Sequence, residues 1–94
     1  MTELDQLEAT IAQGIPALHS LQKELGISPL IFWNTVQSVL SFYIKETEVG
    51  IEINRQVIGF NLSAVEYVLN FYKETNQHVE NILIALRGTD RLNN

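Results

Sequence analysis

Two histidines, His19 and His78, are the side chains whose unperturbed titration falls near neutral pH, and His78 follows Glu74 by four residues. On a helix that spacing sets a carboxylate and an imidazole on one face. A metal site needs three or four converging ligands. The chain has no H-x-x-x-H, no H-E-x-x-H and no cysteine, so the pair reads as exposed surface polars. No metal and no cofactor is expected.

Glu46, Glu48 and Glu52 form an acidic cluster. Paired carboxylates do acid–base work when burial splits their pKa values. These alternate with apolar residues beside an expected turn, which describes a solvated face or a landing site for a basic partner. Five glycines, at 14, 26, 50, 59 and 88, are scattered instead of gathered into a phosphate-binding loop. No serine sits in a nucleophile elbow, and no Asp-Ser dipeptide offers an acyl-carrier attachment point. Phe32, Trp33, Phe42 and Tyr43 have the makings of a stacking box, but at helical spacing they belong in a core. An enzyme or ligand-binder reading rests on His78 and Glu74, and it requires an open pocket beside Trp33.

The element that must position these residues is Ser28 to Lys45. At about 100° per residue its apolar side chains cover roughly 220° of arc. A surface helix shows about half of that, so this one is expected to be buried on more than one side. Ser28 is placed to cap it, and Pro29 occupies the first helical position, where a missing N–H is harmless. Its polar arc, Asn34, Gln37, Ser38, Ser41 and Lys45, carries a single charge. That reads equally as a partly covered strip or as a contact strip for a partner.

Upstream, Thr2 with Asp5 looks like a helix start, and Leu4, Leu7, Ile11, Ile15, Leu18, Leu21 and Leu25 keep one heptad-like phase. That phase favours a single helix from about Glu3 to Leu25, kinked at Pro16, over two helices split at Gly14. Gly26 is placed to close it. Downstream, Val49, Ile51 and Ile53 alternate with Gly50, Glu52 and Asn54, and residues 56–60 form a second β-rich run. A short β-hairpin is expected there, turning at Asn54-Arg55; the alternative is a central helix that runs on past Gly50. Ser63 with Glu66 forms a capping box, and Leu62 with Tyr67 a hydrophobic staple, so a long last helix is expected from about Ala64. Gly88 is placed to end it, leaving 89–94 as a frayed polar tail.

The 94 residues make one small domain. The fold expected is α+β and mainly helical, with an all-α bundle as the alternative. A last helix over 64–87 spans ~36 Å, against a diameter near ~32 Å for a compact domain of this size. Overhang exposes apolar stripe, and the simplest cover is an identical chain in a two-fold dimer.

Six Lys and Arg stand against eleven Asp and Glu, a net charge of -5. That argues against nucleic acid, whose binders need cations. The longest apolar run, Leu30 to Ile44, is short and interrupted by polar residues, so no membrane span is expected. An acidic N-terminus and the lack of cysteine point to a cytoplasmic protein. The size and charge balance are similar to those of small acidic helical immunity and inhibitor proteins. The function expected is therefore a non-catalytic interaction module, an adaptor or regulator acting as a homodimer, with an acidic inhibitor of a basic enzyme or toxin as the alternative. Contact is expected through Asn34, Gln37 and Ser41 on the central helix and through Glu48 and Glu52 at the hairpin.

Overall fold

Gly14 decides how the chain begins. Its backbone sits at φ 99° and ψ -178°, a region essentially closed to residues with a side chain. The computed structural model describes residues 3–93, with side chains from Leu4 to Gly88. Within it the first apolar stretch is two helices, α1 (Glu3–Ile11) and α2 (Ile15–Leu25), and the expected single kinked helix is not formed. The amides of Gln13 and Gly14 bond back to Thr10 and Ile11 at 2.9 and 3.1 Å, which winds α1 to a stop. Pro16 then stands in the first turn of α2, where it disrupts nothing. The apolar phase survives the break because both short helices press their stripes onto one core: Leu7, Ile11, Leu18 and Leu21 are all buried. The Thr2 cap lies outside the described residues.

Gly26 closes α2 in the left-handed conformation, its N–H bonded to the Gln22 carbonyl at 3.1 Å. Helix α3 (Pro29–Asn54) follows. Ser28 holds the cap position, but only its carbonyl is used, by the Phe32 amide at 2.9 Å. Trp33 and Phe32 are each 2% exposed, so α3 is covered around the indole, whereas Phe42, expected in the core with them, lies beyond that cover and is 58% exposed.

The expected β-hairpin is absent: among the described residues there are four helices and no strand. Helix α3 runs through Gly50 to Asn54, so the all-α alternative is the architecture adopted. Helical geometry separates the three residues that looked like a strand. Ile51 is buried, whereas Val49 and Ile53 are exposed. Glycine inside a helix costs ~1 kcal/mol relative to alanine. That is small beside the loss of pairing along a second helix, and an isolated hairpin has little stability of its own. Residues 56–60 form turns, with Val57 N–H bonded to Asn54 at 2.9 Å and Gly59 at φ 88°.

Helix α4 (Leu62–Asn93) starts earlier than its capping-box signal. Asn61 is the cap: its Oδ1 accepts the Ala64 N–H at 3.0 Å. Ser63 is already inside the helix, and Tyr67 is exposed, so the expected box and staple do not set its start. Gly88 does not end α4, whose backbone stays helical through Asn93; the side chains of residues 89–94 lie outside the described residues.

α3 and α4 form an antiparallel helical hairpin. Asn34 meets Arg87, Gln37 meets Glu80, and Glu48 meets Lys73, in one steady register. The core lies at one end of this hairpin, where Phe32, Trp33, Val36 and Leu40 of α3 and Val79 and Leu83 of α4 pack with α1 and α2. This end is the covered half. The other end, from about Phe42 through the α3–α4 turn to Phe71, is the hairpin tip. At 1.5 Å per residue, the 32 residues of α4 reach ~48 Å. The molecule measures 55 × 30 × 17 Å, with a radius of gyration of 15.6 Å. A compact chain of this length would have ~12 Å.

Candidate interaction surface

The titratable residues that promised chemistry are dispersed. His19, Glu74 and His78 are all exposed. His19 lies edge-on to the Trp33 ring with centroids 4.8 Å apart, helping to shut the indole from solvent. The open pocket that an enzyme reading needs beside Trp33 is filled, because Phe32 packs against the indole at 5.1 Å. Among the described residues no group of three His, Asp or Glu side chains is placed to hold a metal.

The five expected contact residues divide into two sets. Asn34 and Gln37 are engaged within the chain. Arg87 donates to Asn34 Oδ1 at 3.2 Å, and Gln37 Nε2 donates to Glu80 Oε2. The thinly charged strip on α3 is thus partly covered by α4. Ser41, Glu48 and Glu52 remain exposed. Glu48 is 3.9 Å from Lys73, a half-exposed pair of the kind that contributes ~0–1 kcal/mol.

Glu48 and Glu52 line a shallow cleft of about 420 Å³ at the hairpin tip, with Glu66 across from them and Arg55 and Lys73 among the carboxylates. Ile51 and Leu69 form its floor. Three acids against two bases leave the cleft only mildly acidic.

Among the described residues one group has a strongly shifted titration. Burial, and then a hydrogen bond to the Glu8 carboxylate and its charge, push the Tyr43 phenol well above its ordinary value of 10.0. Tyr43 also stacks on Tyr72 at 5.4 Å. Donor, carboxylate and second ring come from α3, α1 and α4, so this contact ties three helices at the border between the two halves.

The surface also carries a concentration of apolar side chains that the sequence pattern did not single out. Among the described residues eleven large hydrophobic side chains are exposed, and seven of them fall within residues 42–68: Phe42, Val49, Ile53, Val57, Ile58, Tyr67 and Val68. The tip therefore holds most of the large hydrophobic side chains left in water among the described residues, although it is less than a third of the chain. Ile58 is fully exposed and Ile53 is 72% exposed. A concentration of this kind marks an interaction site more often than a chance residue does. The clue in the sequence was the run Val49-Ile51-Ile53, which reads as a strand until a helical period is imposed on it.

Compared with protein-family models, with curated proteins and with solved structures, the chain finds no significant match. No helix among the described residues is long and apolar enough to cross a membrane.

Proposed function

We propose that this chain is a non-catalytic protein–protein interaction module, an adaptor or regulator that works as a homodimer and makes contact through the hairpin tip. The observation that carries this is the concentration of exposed apolar side chains at 42–68. Stable domains have at least two packed layers. The covered half has them, with α1 and α2 lying over α3 and α4; around Val49 and Ile53 the tip has none beyond the hairpin itself. A second layer supplied by another chain buries what the first leaves in water. Light scattering on the purified protein at micromolar concentration tests the reading. Twice the mass of one chain is expected; a single-chain mass at every concentration would remove the homodimer.

A second reading is favoured by the cleft bearing Glu48, Glu52 and Glu66. It makes the protein an acidic inhibitor of a basic enzyme or toxin. Binding would then weaken steeply with added salt, because charge steering is screened. A complex with a basic partner that ignores salt would count against it.

A further inference from the structure

The outer side of α3 carries a pattern complementary to itself, and we propose that a second copy of this chain docks there, α3 against α3 and antiparallel, about a two-fold axis beside Val49. This deepens the homodimer reading and rests on it. Phe42, Val49 and Ile53 recur at intervals of seven and four residues, so they stack along one side of the helix. All three are exposed, and they line one shallow groove. Ile51, between them in sequence, is buried beside Leu69 of α4, so the stripe points away from α4. At its upper end it is continuous with packing inside the chain: Phe42 also lines the groove against Leu4 of α1. Val49 and Ile53 continue that apolar surface beyond the reach of Leu4.

Charge selects the occupant and its direction. Lys45 and Glu52 stand seven residues apart on one flank of the stripe. Both are exposed, and among the described residues neither is in an ion pair. In an antiparallel pair of helices like flanks meet. With the axis beside Val49, Lys45 of each copy then lies close to Glu52 of the other, twice over, and Val49 lies close to its own copy. In a parallel pairing opposite flanks meet, and Lys45 and Glu52 of the two copies fall on different sides of the interface. Two-fold symmetry demands this kind of self-complementarity. An unrelated partner of one charge sign would not call for both signs on the same flank.

Sedimentation equilibrium on the full chain tests the surface, with circular dichroism to confirm that each variant keeps its helix content. The unaltered chain is expected to be a dimer and Val49→Glu a monomer. Lys45→Glu should weaken association several-fold, and the double variant Lys45→Glu with Glu52→Lys should restore it. The chain has no cysteine, so Val49→Cys places a lone thiol beside its symmetry mate, and mild oxidation should link two chains. A dimer that survives Val49→Glu and is not linked through Val49→Cys would overturn this surface while leaving the homodimer standing. A monomeric unaltered chain would overturn both.

Discussion

The covered half and the hairpin tip are built from the same two helices, and they differ in what lies on top of them. Around Trp33, Val36 and Leu40 the antiparallel pair is roofed by α1 and α2, and its apolar side chains are sealed. Around Val49 and Ile53 none of the described residues forms a roof, and equally apolar side chains face water. The residue types hardly change along α3, so the contrast comes from how far the first 25 residues of the chain reach. Two short helices of 9 and 11 residues cannot cover partners of 26 and 32. The tip is what remains.

The largest way to break the contrast is in the covered half. Trp33→Ala removes a ring that is 2% exposed and in contact with Phe32 and His19. It should cost ~3–5 kcal/mol, enough to unfold a marginal domain, and urea denaturation would show it. Next is Gly14→Ala, which forces a side chain into a backbone region that only glycine occupies readily. The expected loss is ~1–3 kcal/mol, read as a fall in denaturation midpoint. Were α1 and α2 one continuous helix, the same change would be stabilising.

Asn61→Ala removes the cap of α4 at the tip, with an expected cost of ~1 kcal/mol in thermal denaturation. Ser63→Ala should cost less, because Ser63 lies inside the helix. Gly50→Ala runs the other way. The position is helical, and a methyl group there meets nothing within 4 Å, so stability should rise by ~0.5–1 kcal/mol.

The smallest effect at neutral pH belongs to Tyr43, at the border between the halves. Its folded phenol titrates above the ordinary value of 10.0, so folding favours the neutral form. The resulting stability is fully present below the unfolded pKa of ~10 and is lost as pH rises from there toward the folded value. Tyr43→Phe should flatten that alkaline decline in melting temperature while changing the slope near pH 7 very little.

Much of this fold can be read locally. Gly26 and Pro29 mark a helix end and a helix start wherever they stand, and the stripes ending at Leu25 and Leu86 have a period that only a helix serves. The misreadings share one cause. Three apolar residues alternating over 49–53 fit a strand as well as the edge of a helix, and the deciding factor is α4, which lies distant in sequence and alongside in space. The unbroken phase of Leu4 to Leu25 suggested one rod, yet two short helices facing a common core preserve it equally well. Asn61 and Ser63 are both good caps two residues apart, and their order along the chain does not say which is used. On α3 the low charge of the Asn34 and Gln37 strip fitted cover and partner contact equally, and the groups that engage it, Arg87 and Glu80, come from the other helix. The apolar tip became visible only when Val49 and Ile53 were separated from Ile51.

Amide hydrogen exchange at two protein concentrations tests the difference between the halves most directly. Amides of residues 42–56 should exchange more slowly in the concentrated sample, where a second chain covers them, while those around Leu40 and Leu83 should exchange alike in both. Identical protection of 42–56 at both concentrations would contradict a tip completed by its own copy.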